Sequence, residues 1–295
     1  MNVTRLPDVE RRQGRSVAVG TFDGVHLGHR EVIAGSDSVL TFDPHPVSVV
    51  SPQHTPKLLT TLEHKAELIA SLGVQELIVI PFDAAFAQRS AASFVDDVLV
   101  GALAAGQVAI GENFRFGNKA QGDRRLLAAD ARFRTVVRPL LEVDGEIVSS
   151  SHIRGLVLAG ELAEANRLLG VPFQLRGEVT HGDERGRELG FPTANLVPDD
   201  VLACPGHGVY ACLADGRPAA VSVGVRPTFE TGRGELIEAY LLDFDGDLYG
   251  HQLSLEFLER LRGERRFDTR EALIAQMHLD VEHARELIAA RGRRD

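Results

Sequence analysis

The spacing of apolar residues changes near Gly170, and this change constrains the fold more than any other feature of the chain. Before Gly170, short runs rich in Val and Ile, such as those at 16–22 and 76–82, place apolar residues side by side. Such continuous runs predict strands buried on both faces, as in a parallel sheet covered by helices. After Gly170, segments such as 208–214 alternate in a period of two, which is typical of antiparallel strands with one face on a core.

The first 170 residues predict an α/β domain. Strand-like runs alternate with helical segments, and the runs lie at 16–22, 38–43, 76–82, 107–112 and 135–140. This alternation predicts a doubly wound, Rossmann-like domain with a parallel sheet. One of the helices is expected to follow Thr60, because Thr60 and Glu63 form a capping-box pattern.

Residues 171–295 predict a mainly β domain, either a sandwich or a small antiparallel barrel. The segment 268–290 has apolar residues at helical spacing and predicts one long helix that packs on the barrel, with Asp268 at its cap. A length of 295 residues also suits two domains. We expect these domains to span 1–170 and 171–295.

Composition excludes several classes of protein. A formal net charge of −10 argues against a general nucleic-acid binder. No apolar run reaches about 18 residues, so no membrane span is expected, and the first residues lack the apolar core of a signal peptide. The two cysteines, Cys204 and Cys212, support neither a disulfide framework nor a zinc site. We expect a cytoplasmic protein, monomeric or weakly homo-oligomeric, with no nucleic-acid or membrane partner.

The stretch VGTFDGVHLGHR at 19–30 predicts a phosphate site. A buried strand ends here, Gly24 permits a tight turn, and a helix is expected to start near His26. Ligands of such sheets bind at the carboxyl ends of strands, and helix N-termini favour phosphate. His26 and His29 share one helix face, and Gly28 keeps the space between them open. Two solvated loop histidines are the alternative, which the buried strand and the turn disfavour.

A second motif, HGDERGRELGFPTANL at 181–196, predicts a magnesium site. Pro192 fixes its own φ and restricts the residue before it, so Thr193 and Asn195 lie on the same side of an extended segment. Their hydroxyl and amide oxygens are hard ligands that suit Mg²⁺. The preceding loop can fold over phosphates, and its relevant residues are Gly182, Arg185, Gly186, Arg187 and Gly190. A polar hairpin loop is the alternative, and the chain has no Gly-Lys dipeptide for a Walker loop.

The first site resembles a known signature. The 19–30 stretch is similar to that of the nucleotidyltransferase superfamily, which includes class I tRNA synthetases. With TFDPHP at 41–46, IGENFRFG at 110–117 and VSSSHIRG at 148–155, it resembles the adenylyltransferase module of the prokaryotic bifunctional riboflavin kinase/FMN adenylyltransferase family. The resemblance implies contacts with ATP or its phosphates for Gly20, Phe22, Asp23, His26, Gly28, His29, Asn113, Ser150, Ser151 and Arg154. It places Phe42, Pro44 and Pro46 near the flavin.

The second motif closely resembles the riboflavin kinase signature. Further matching segments follow in order at 207–211, 222–229, 235–250 and 264–280. The resemblance implies a small barrel with a terminal helix, phosphate contacts from the 182–192 segment including Pro192, and a catalytic glutamate at Glu238. A carboxylate within reach of the ribityl 5′-hydroxyl can take its proton.

The resemblance implies two-step FAD synthesis. The C-terminal domain would phosphorylate riboflavin to FMN, and the N-terminal domain would join FMN to AMP and release pyrophosphate. ATP and Mg²⁺ are the implied cofactors, and riboflavin, FMN and FAD the implied substrates and product. One alternative is a riboflavin kinase alone, whose N-terminal domain is weakened by the short segment 30–37. Others are a different adenylyl- or cytidylyltransferase and a non-catalytic flavin or nucleotide sensor.

Overall fold

The computed structural model describes residues 1–180, 191–225 and 235–291. The chain divides into two compact units, Met1–Ser150 and Ser151–Asp295. A parallel sheet forms the centre of the first unit, and a closed barrel forms the centre of the second.

A six-stranded parallel sheet organises the first unit. Its strands are β1 (Asn2–Arg5), β2 (Arg15–Val19), β3 (Ser38–Asp43), β4 (Glu76–Pro81), β5 (Ala105–Gly111) and β6 (Arg134–Arg138). They are ordered β1-β4-β3-β2-β5-β6, and every neighbouring pair is parallel. The chain moves from β2 outward through β3 to β4, and later places β5 on the other side of β2. The carboxyl ends of β2 and β5 therefore flank the topological switch point, where sheets of this kind bind ligands.

Helices and turns connect these strands. They are α1 (Leu27–Ile33), α2 (Pro46–Val50), α3 (Leu62–Ser71), α4 (Ala84–Ala87), α5 (Ala91–Ser93) with a π-helix at Phe94–Ala102, α6 (Arg124–Ala128) and 3-10 turns at Leu6–Asp8, Pro52–His54 and Asn118–Ala120. A small hairpin joins β7 (Glu142–Val143) and β8 (Glu146–Ile147). The seven residues of α1 form about two turns, so the short segment 30–37 still completes a crossover between β2 and β3.

The cap of α3 differs from the prediction. Thr61, rather than Thr60, caps this helix, because its side chain accepts a hydrogen bond from the His64 amide at 3.2 Å. The Thr60 hydroxyl instead accepts from the Gly24 amide at 3.1 Å. Sequence spacing alone suits either threonine, whereas the tertiary contact with Gly24 decides between them.

Alternate residues of the central strands face two apolar cores. Val17 and Val19 belong to one cluster, which also contains Phe94 from the π-helix. Ala18, between them, belongs to a second cluster with Ile69 of α3. Val17 and Ala18 are both fully buried. This confirms the prediction of parallel strands buried on both faces.

The second unit contains a closed six-stranded barrel, which decides between the two predicted β architectures. Its strands are β9 (Phe173–Thr180), β10 (Ala194–Pro198), β11 (Gly208–Ala214), β12 (Arg217–Val225), β13 (Glu235–Leu241) and β14 (Gln252–Gly263). They are ordered β10-β13-β12-β11-β14-β9, and all the described pairings are antiparallel. Alternate residues of β9 and β13 are buried, which confirms the predicted period of two.

The terminal helix α9 (Arg270–Arg291) packs on the outside of the barrel. Ala284 of this helix is fully buried against a cluster that includes Ala211 and Ala220. The Arg262 guanidinium of β14 donates to both oxygens of Asp280, which attaches the helix to that strand. At the start of α9, Thr269 rather than Asp268 accepts a hydrogen bond from a helix amide. In the described ranges, no helix combines the length and apolarity needed to cross a membrane.

The two helices that lie between β8 and β9 along the chain pack against the barrel. In α7 (Ser150–Ala159), the Val157 carbonyl accepts from the Gly206 amide at 3.1 Å. In α8 (Leu162–Leu169), buried Asn166 donates to the Phe257 and Leu258 carbonyls and accepts from the Phe173 amide. These contacts explain why the compact units divide after Ser150. The expected domain boundary after Gly170 stays a prediction.

Candidate active sites

The chain after β2 forms a strained turn at 21–24, fixed by a buried carboxylate. Phe22 and Gly24 have positive φ angles of 50° and 85°. A Cβ atom on Gly20 would lie 2.9 Å from the Phe22 ring, so a glycine here allows Phe22 to fold back into the core. Asp23 is 2% exposed, and its Oδ1 accepts from the Leu59 amide at 2.8 Å and the Thr60 amide at 3.2 Å. The Asp23 side chain therefore anchors the turn.

The turn brings the two predicted histidines into contact. His26 caps α1, because its Nδ1 accepts from the His29 amide at 3.2 Å. The two imidazole rings stack with centroids 3.5 Å apart and planes inclined by 16°. The Phe22 ring meets His29 edge-on at 5.3 Å. A Cβ on Gly28 would lie 3.3 Å from the His26 ring, so glycine keeps this side of the pair open.

Burial keeps both imidazoles neutral. Burial, with a smaller contribution from the charge of Arg30, lowers the pKa of His26 to about 4. The pKa of His29 also lies well below its usual value, because of burial first and then the nearby His26 and Lys65. Since Nδ1 of His26 accepts a hydrogen bond, its proton resides on Nε2. The Nδ1 atom of His29 is buried and has no hydrogen-bond partner in the described parts of the chain. Each ring thus carries one N–H donor at neutral pH.

An aromatic cavity of about 850 Å³ lies at the carboxyl ends of the strands of the same sheet. It is lined by Thr21 from the turn, Asn113 from the segment after β5, Phe42 near the end of β3 and Pro46 at the start of α2. Five further phenylalanines complete the lining: Phe82, Phe86, Phe94, Phe114 and Phe116. Its size and apolar walls suit a planar aromatic ligand with a few polar contacts at the rim.

The three residues expected near a flavin separate into two places. Phe42 and Pro46 line the aromatic cavity, whereas Pro44 lines a different cavity of about 430 Å³ with Arg5 and Leu62. Phe82 borders both cavities. The segment 42–46 thus has one side on each cavity, which the sequence motif alone did not reveal.

The serine–arginine motif lies at the start of α7. The Ser150 hydroxyl donates to the Asp23 carbonyl at 2.9 Å, so Ser150 joins the 21–24 turn. Ser151 and Arg154 belong to the second unit, where Ser151 is exposed and Arg154 half-buried. The predicted contacts of Ser151 and Arg154 with pyrophosphate stay predictions.

A cavity of about 420 Å³ in the second unit contains the predicted Thr/Asn pair. Pro192, Thr193 and Asn195 line it, and Asn195 is 6% exposed. Phe191 anchors this segment, because its buried ring packs against Tyr240 at 5.2 Å and His278 of α9 at 4.9 Å. The 244–249 loop also lines the cavity, with Phe244, Asp245, Asp247 and Tyr249.

The strand register places Glu238 next to this pair. Glu238 of β13 is directly opposite Asn195 of β10 and Ser222 of β12. Residues opposite each other in antiparallel strands project from the same face with Cβ atoms about 5 Å apart. Glu238 itself does not line the cavity, whereas Asn195 does. Asn195 therefore connects the cavity with the strand face that carries the glutamate.

The oxygen donors in this cavity fit Mg²⁺. Within 1–180, 191–225 and 235–291, no group of three or more His, Cys, Asp and Glu residues is arranged to hold a metal ion. Thr193 and Asn195 instead offer a hydroxyl and an amide oxygen, and Mg²⁺ completes such a shell with water and phosphate oxygens. The loop residues Gly182, Arg185, Gly186, Arg187 and Gly190 lie outside the described residues.

Sequence reasoning missed several residues at both sites. Lys65 and Thr60 contact the 21–24 turn from a distant segment, and the 244–249 loop faces Thr193 and Asn195. Lys65 had a signal: it lies three residues after Leu62 and four before Ile69, on the buried face of α3. A lysine at a core-facing helix position indicates a special environment.

The doubly wound parallel sheet defines the first unit as a Rossmann-like domain, and the histidine pair lies at its switch point. A family model for FAD synthetase matches residues 8–152, and a model for riboflavin kinase matches residues 169–288. The chain belongs to the bifunctional riboflavin kinase/FMN adenylyltransferase family.

Relatives are similar over nearly the whole chain. The bifunctional riboflavin kinase/FMN adenylyltransferase of Listeria monocytogenes is 39% identical over 290 residues, which covers 92% of each chain. That of Bacillus subtilis is 37% identical and covers 94% of this chain and 93% of the relative. A solved structure named a macrolide-efflux protein, from Streptococcus pneumoniae, has a TM-score of 0.88 at 30% identity and covers 97% of this chain and 99% of the other.

Proposed function

We propose that this chain makes FAD from riboflavin in two steps. The barrel domain, residues 171–295, transfers the γ-phosphate of ATP to riboflavin and releases FMN and ADP. The sheet domain, residues 1–170, then joins FMN to the AMP part of a second ATP and releases pyrophosphate. Both family models and the names of the full-length relatives support this assignment.

The stacked His26/His29 pair is the observation that carries the adenylyl-transfer step. The FMN phosphate is already an anionic nucleophile, so the step requires positioning and charge neutralisation rather than a general base. The neutral imidazoles donate N–H groups to the α- and β-phosphates of ATP. A preorganised donor of this kind contributes about 3 kcal/mol to transition-state stabilisation. Because α1 has only seven residues, we assign phosphate binding to the imidazoles rather than to the helix end.

The aromatic cavity is the proposed flavin site of this step. Phe42 and Pro46 would contact the isoalloxazine ring, and Asn113 would hold ATP at the rim. Ser151 and Arg154 would contact the leaving pyrophosphate. The Asp23 Oδ1 atom would anchor the turn, because it accepts two backbone amides, and the ATP contact expected for Asp23 stays a prediction.

In the kinase step, Glu238 is the proposed general base. It would take the proton of the 5′-hydroxyl of riboflavin, a contribution of about 10²–10⁴ in rate. Thr193 and Asn195 would hold Mg²⁺, which neutralises phosphate charge when bound. Pro192 keeps the Thr/Asn segment extended. The proposed phosphate-covering loop contains Gly182, Arg185, Gly186, Arg187 and Gly190.

Product analysis tests the proposal. The protein is incubated with riboflavin, ATP and Mg²⁺, and the flavins are separated by chromatography. We expect both FMN and FAD. Formation of FMN alone would leave the kinase-only alternative, which the FAD synthetase match at 8–152 disfavours. Formation of neither would contradict the proposal.

Single variants test the two-site assignment. We expect His29→Ala to stop FAD formation while FMN still forms from riboflavin. We expect Glu238→Ala to block FMN formation while supplied FMN is still converted to FAD. Loss of both activities in either folded variant would contradict the assignment of separate sites.

The proposed setting is the cytoplasm, with the protein as a monomer or a weak homo-oligomer. The sequence analysis gives the same expectation. The proposed substrates are small molecules, so the reactions need no protein partner. Sedimentation at micromolar concentration with and without flavin checks the oligomeric state. A stable higher oligomer would contradict it.

A further inference from the structure

A buried lysine, Lys65, lies close to His29 of the histidine pair. Lys65 of α3 is 8% exposed, although lysine is a residue that globular proteins almost always leave in water. Burial of an ammonium is unfavourable unless nearby groups compensate its charge. Retention of a lysine on the buried face of α3 therefore requires a local explanation.

The Lys65 ammonium holds the carbonyl at the beginning of the 21–24 turn. Its Nζ donates to the Thr21 carbonyl oxygen at 2.8 Å, and the Thr41 hydroxyl donates to the same oxygen at 3.0 Å. Within the part of the chain that the structure describes, the Lys65 side chain makes one hydrogen bond, the one to the Thr21 carbonyl. The lysine thus links α3 to the end of β2.

The charge of Lys65 also acts on its surroundings. Asp23 and Asp43 favour the charged ammonium, which opposes the lowering of the Lys65 pKa by burial. In turn, Lys65 lowers the pKa of His29, after burial and His26.

Protonation would disrupt the geometry of the pair. The His26 Nδ1 atom accepts from the His29 amide, and a doubly protonated imidazole has no acceptor left for that bond. The rings stack at 3.5 Å, so the positive charge of a protonated ring would lie directly against the other imidazole. Arg30, beside His26, and Lys65, beside His29, are the cations whose charges oppose protonation of the two rings.

We propose that Lys65 is a positioning residue for adenylyl transfer. By donating a hydrogen bond to the Thr21 carbonyl, its ammonium fixes the 21–24 turn and, with it, the orientation of the histidine pair toward the ATP phosphates. This inference rests on the proposed function of the first unit. It extends that function to a residue on a different helix, 44 positions along the chain from Thr21. The positive charge of the ammonium also opposes protonation of His29, in addition to the effect of burial.

Kinetics of purified variants test the proposal. Lys65→Met removes the ammonium but keeps the side-chain length, and Arg125→Met removes an exposed cation from α6 of the same unit as the matched control. With FMN and ATP as substrates, we expect Lys65→Met to lower kcat about 10- to 100-fold, the range for a lost charge-assisted hydrogen bond. We expect Arg125→Met to match the wild type. Lys65→Arg is expected to recover part of the loss.

Riboflavin phosphorylation in the same samples is the internal control. It should be unchanged in Lys65→Met, because Lys65 belongs to the first unit and the proposed kinase site to the second. Thr41→Val removes the other donor to the Thr21 carbonyl while keeping the side-chain shape. We expect Thr41→Val to lower kcat less than Lys65→Met does, since the charged donor remains.

The titration of His29 supplies a readout that a purely structural role would not move. In protein with ¹³C-labelled histidine, we expect the His29 ring to protonate at higher pH in Lys65→Met than in the wild type, Thr41→Val or Arg125→Met. The acid limb of the FMN-to-FAD rate should move in the same direction. His26, Arg30, Asp23 and Asp43 are the other charged or titratable groups around the pair and Lys65, and all are retained in these variants.

Three results would overturn the proposal. The first is a Lys65→Met protein with wild-type kcat and an unchanged His29 titration. The second is an equal loss of kcat in Lys65→Met and Thr41→Val without any change in the His29 titration. In that case Lys65 would support the Thr21 carbonyl only as a second hydrogen-bond donor, and its charge would have no role. The third is an unfolded first unit in Lys65→Met, detected by hydrogen exchange. If the wild type makes no FAD from FMN, the proposed function fails, and the His29 titration still decides whether Lys65 controls the pair.

Discussion

Replacement of Asp23 by Ala should release the 59–60 segment from the turn that carries the histidine pair. The Asp23 carboxylate is 2% exposed and accepts from the Leu59 amide at 2.8 Å and the Thr60 amide at 3.2 Å. A hydrogen bond to a charged group contributes about 1.5–3 kcal/mol, so loss of two lowers the free energy of local opening by about 3–6 kcal/mol. The lower limit corresponds to exchange about 150-fold faster at these amides.

Hydrogen exchange at Leu59 and Thr60 measures this release directly. Asp23→Asn is the matched control, because its amide oxygen can still accept from both backbone groups, and we expect it to keep most of the protection. The Thr60 hydroxyl bond to Gly24 is present in both variants. Wild-type protection of both amides in Asp23→Ala would refute the anchoring role.

The same pair of variants separates anchoring from ATP binding. If Asp23 anchors the turn, Asp23→Asn retains FMN-to-FAD activity within about tenfold of the wild type, the effect of about 1.4 kcal/mol. If the charge acts on ATP or its metal, Asp23→Asn loses as much activity as Asp23→Ala while the two amides stay protected. That second pattern would place Asp23 in the ATP site.

Three further predictions concern both units. Asn166→Ala removes the buried amide that joins α8 to β9 and β14, and should lower the unfolding free energy of the second unit by about 3 kcal/mol, measured by urea unfolding with tyrosine fluorescence. Unchanged stability would show that the amide does not hold the helix. The folded pKa of His26, about 4, lies below its usual 6.5, so the unfolded chain binds more protons between these values. The first unit should therefore lose stability as pH falls from about 6.5 to 4, and His26→Gln should flatten that dependence in thermal unfolding; an equally steep loss would contradict this. Asn195→Ala should raise the Mg²⁺ concentration needed for half-maximal FMN formation about tenfold and leave FMN-to-FAD conversion unaffected. An unchanged Mg²⁺ requirement would remove Asn195 from the proposed metal shell.

Much of the fold follows from local patterns. The buried strands β2 to β6, five of the six barrel strands and the terminal helix were predicted from the spacing of apolar residues, whereas β10 was expected only as an extended segment. The edge strand β1 was missed, because NVTR lacks an apolar run and Val3 stays 55% exposed. The sequence does not distinguish the π-helix at Phe94–Ala102 from an α-helix, since its i+5 bonds give no distinct periodicity.

The candidate sites likewise contain some residues that the local sequence reveals and others that only the folded chain brings together. His26 and His29 are three residues apart, so one helix cap brings them together and the local sequence reveals the pair. Thr60 and Lys65 reach the turn across 36 and 44 positions, a distance that only the folded sheet closes. Pro44 and Pro46 are nearly adjacent in sequence but line different cavities in the folded chain. Tertiary contacts of this kind are not encoded in spacing.

The most direct test of two independent sites is a mixing experiment. His29→Ala and Glu238→Ala proteins are each supplied with riboflavin, ATP and Mg²⁺, alone and together, and FAD is measured. The account predicts no FAD from either variant alone and FAD from the mixture, because FMN made by the first protein reaches the intact sheet domain of the second. FAD from either protein alone, or a mixture that accumulates FMN without FAD, would contradict the account.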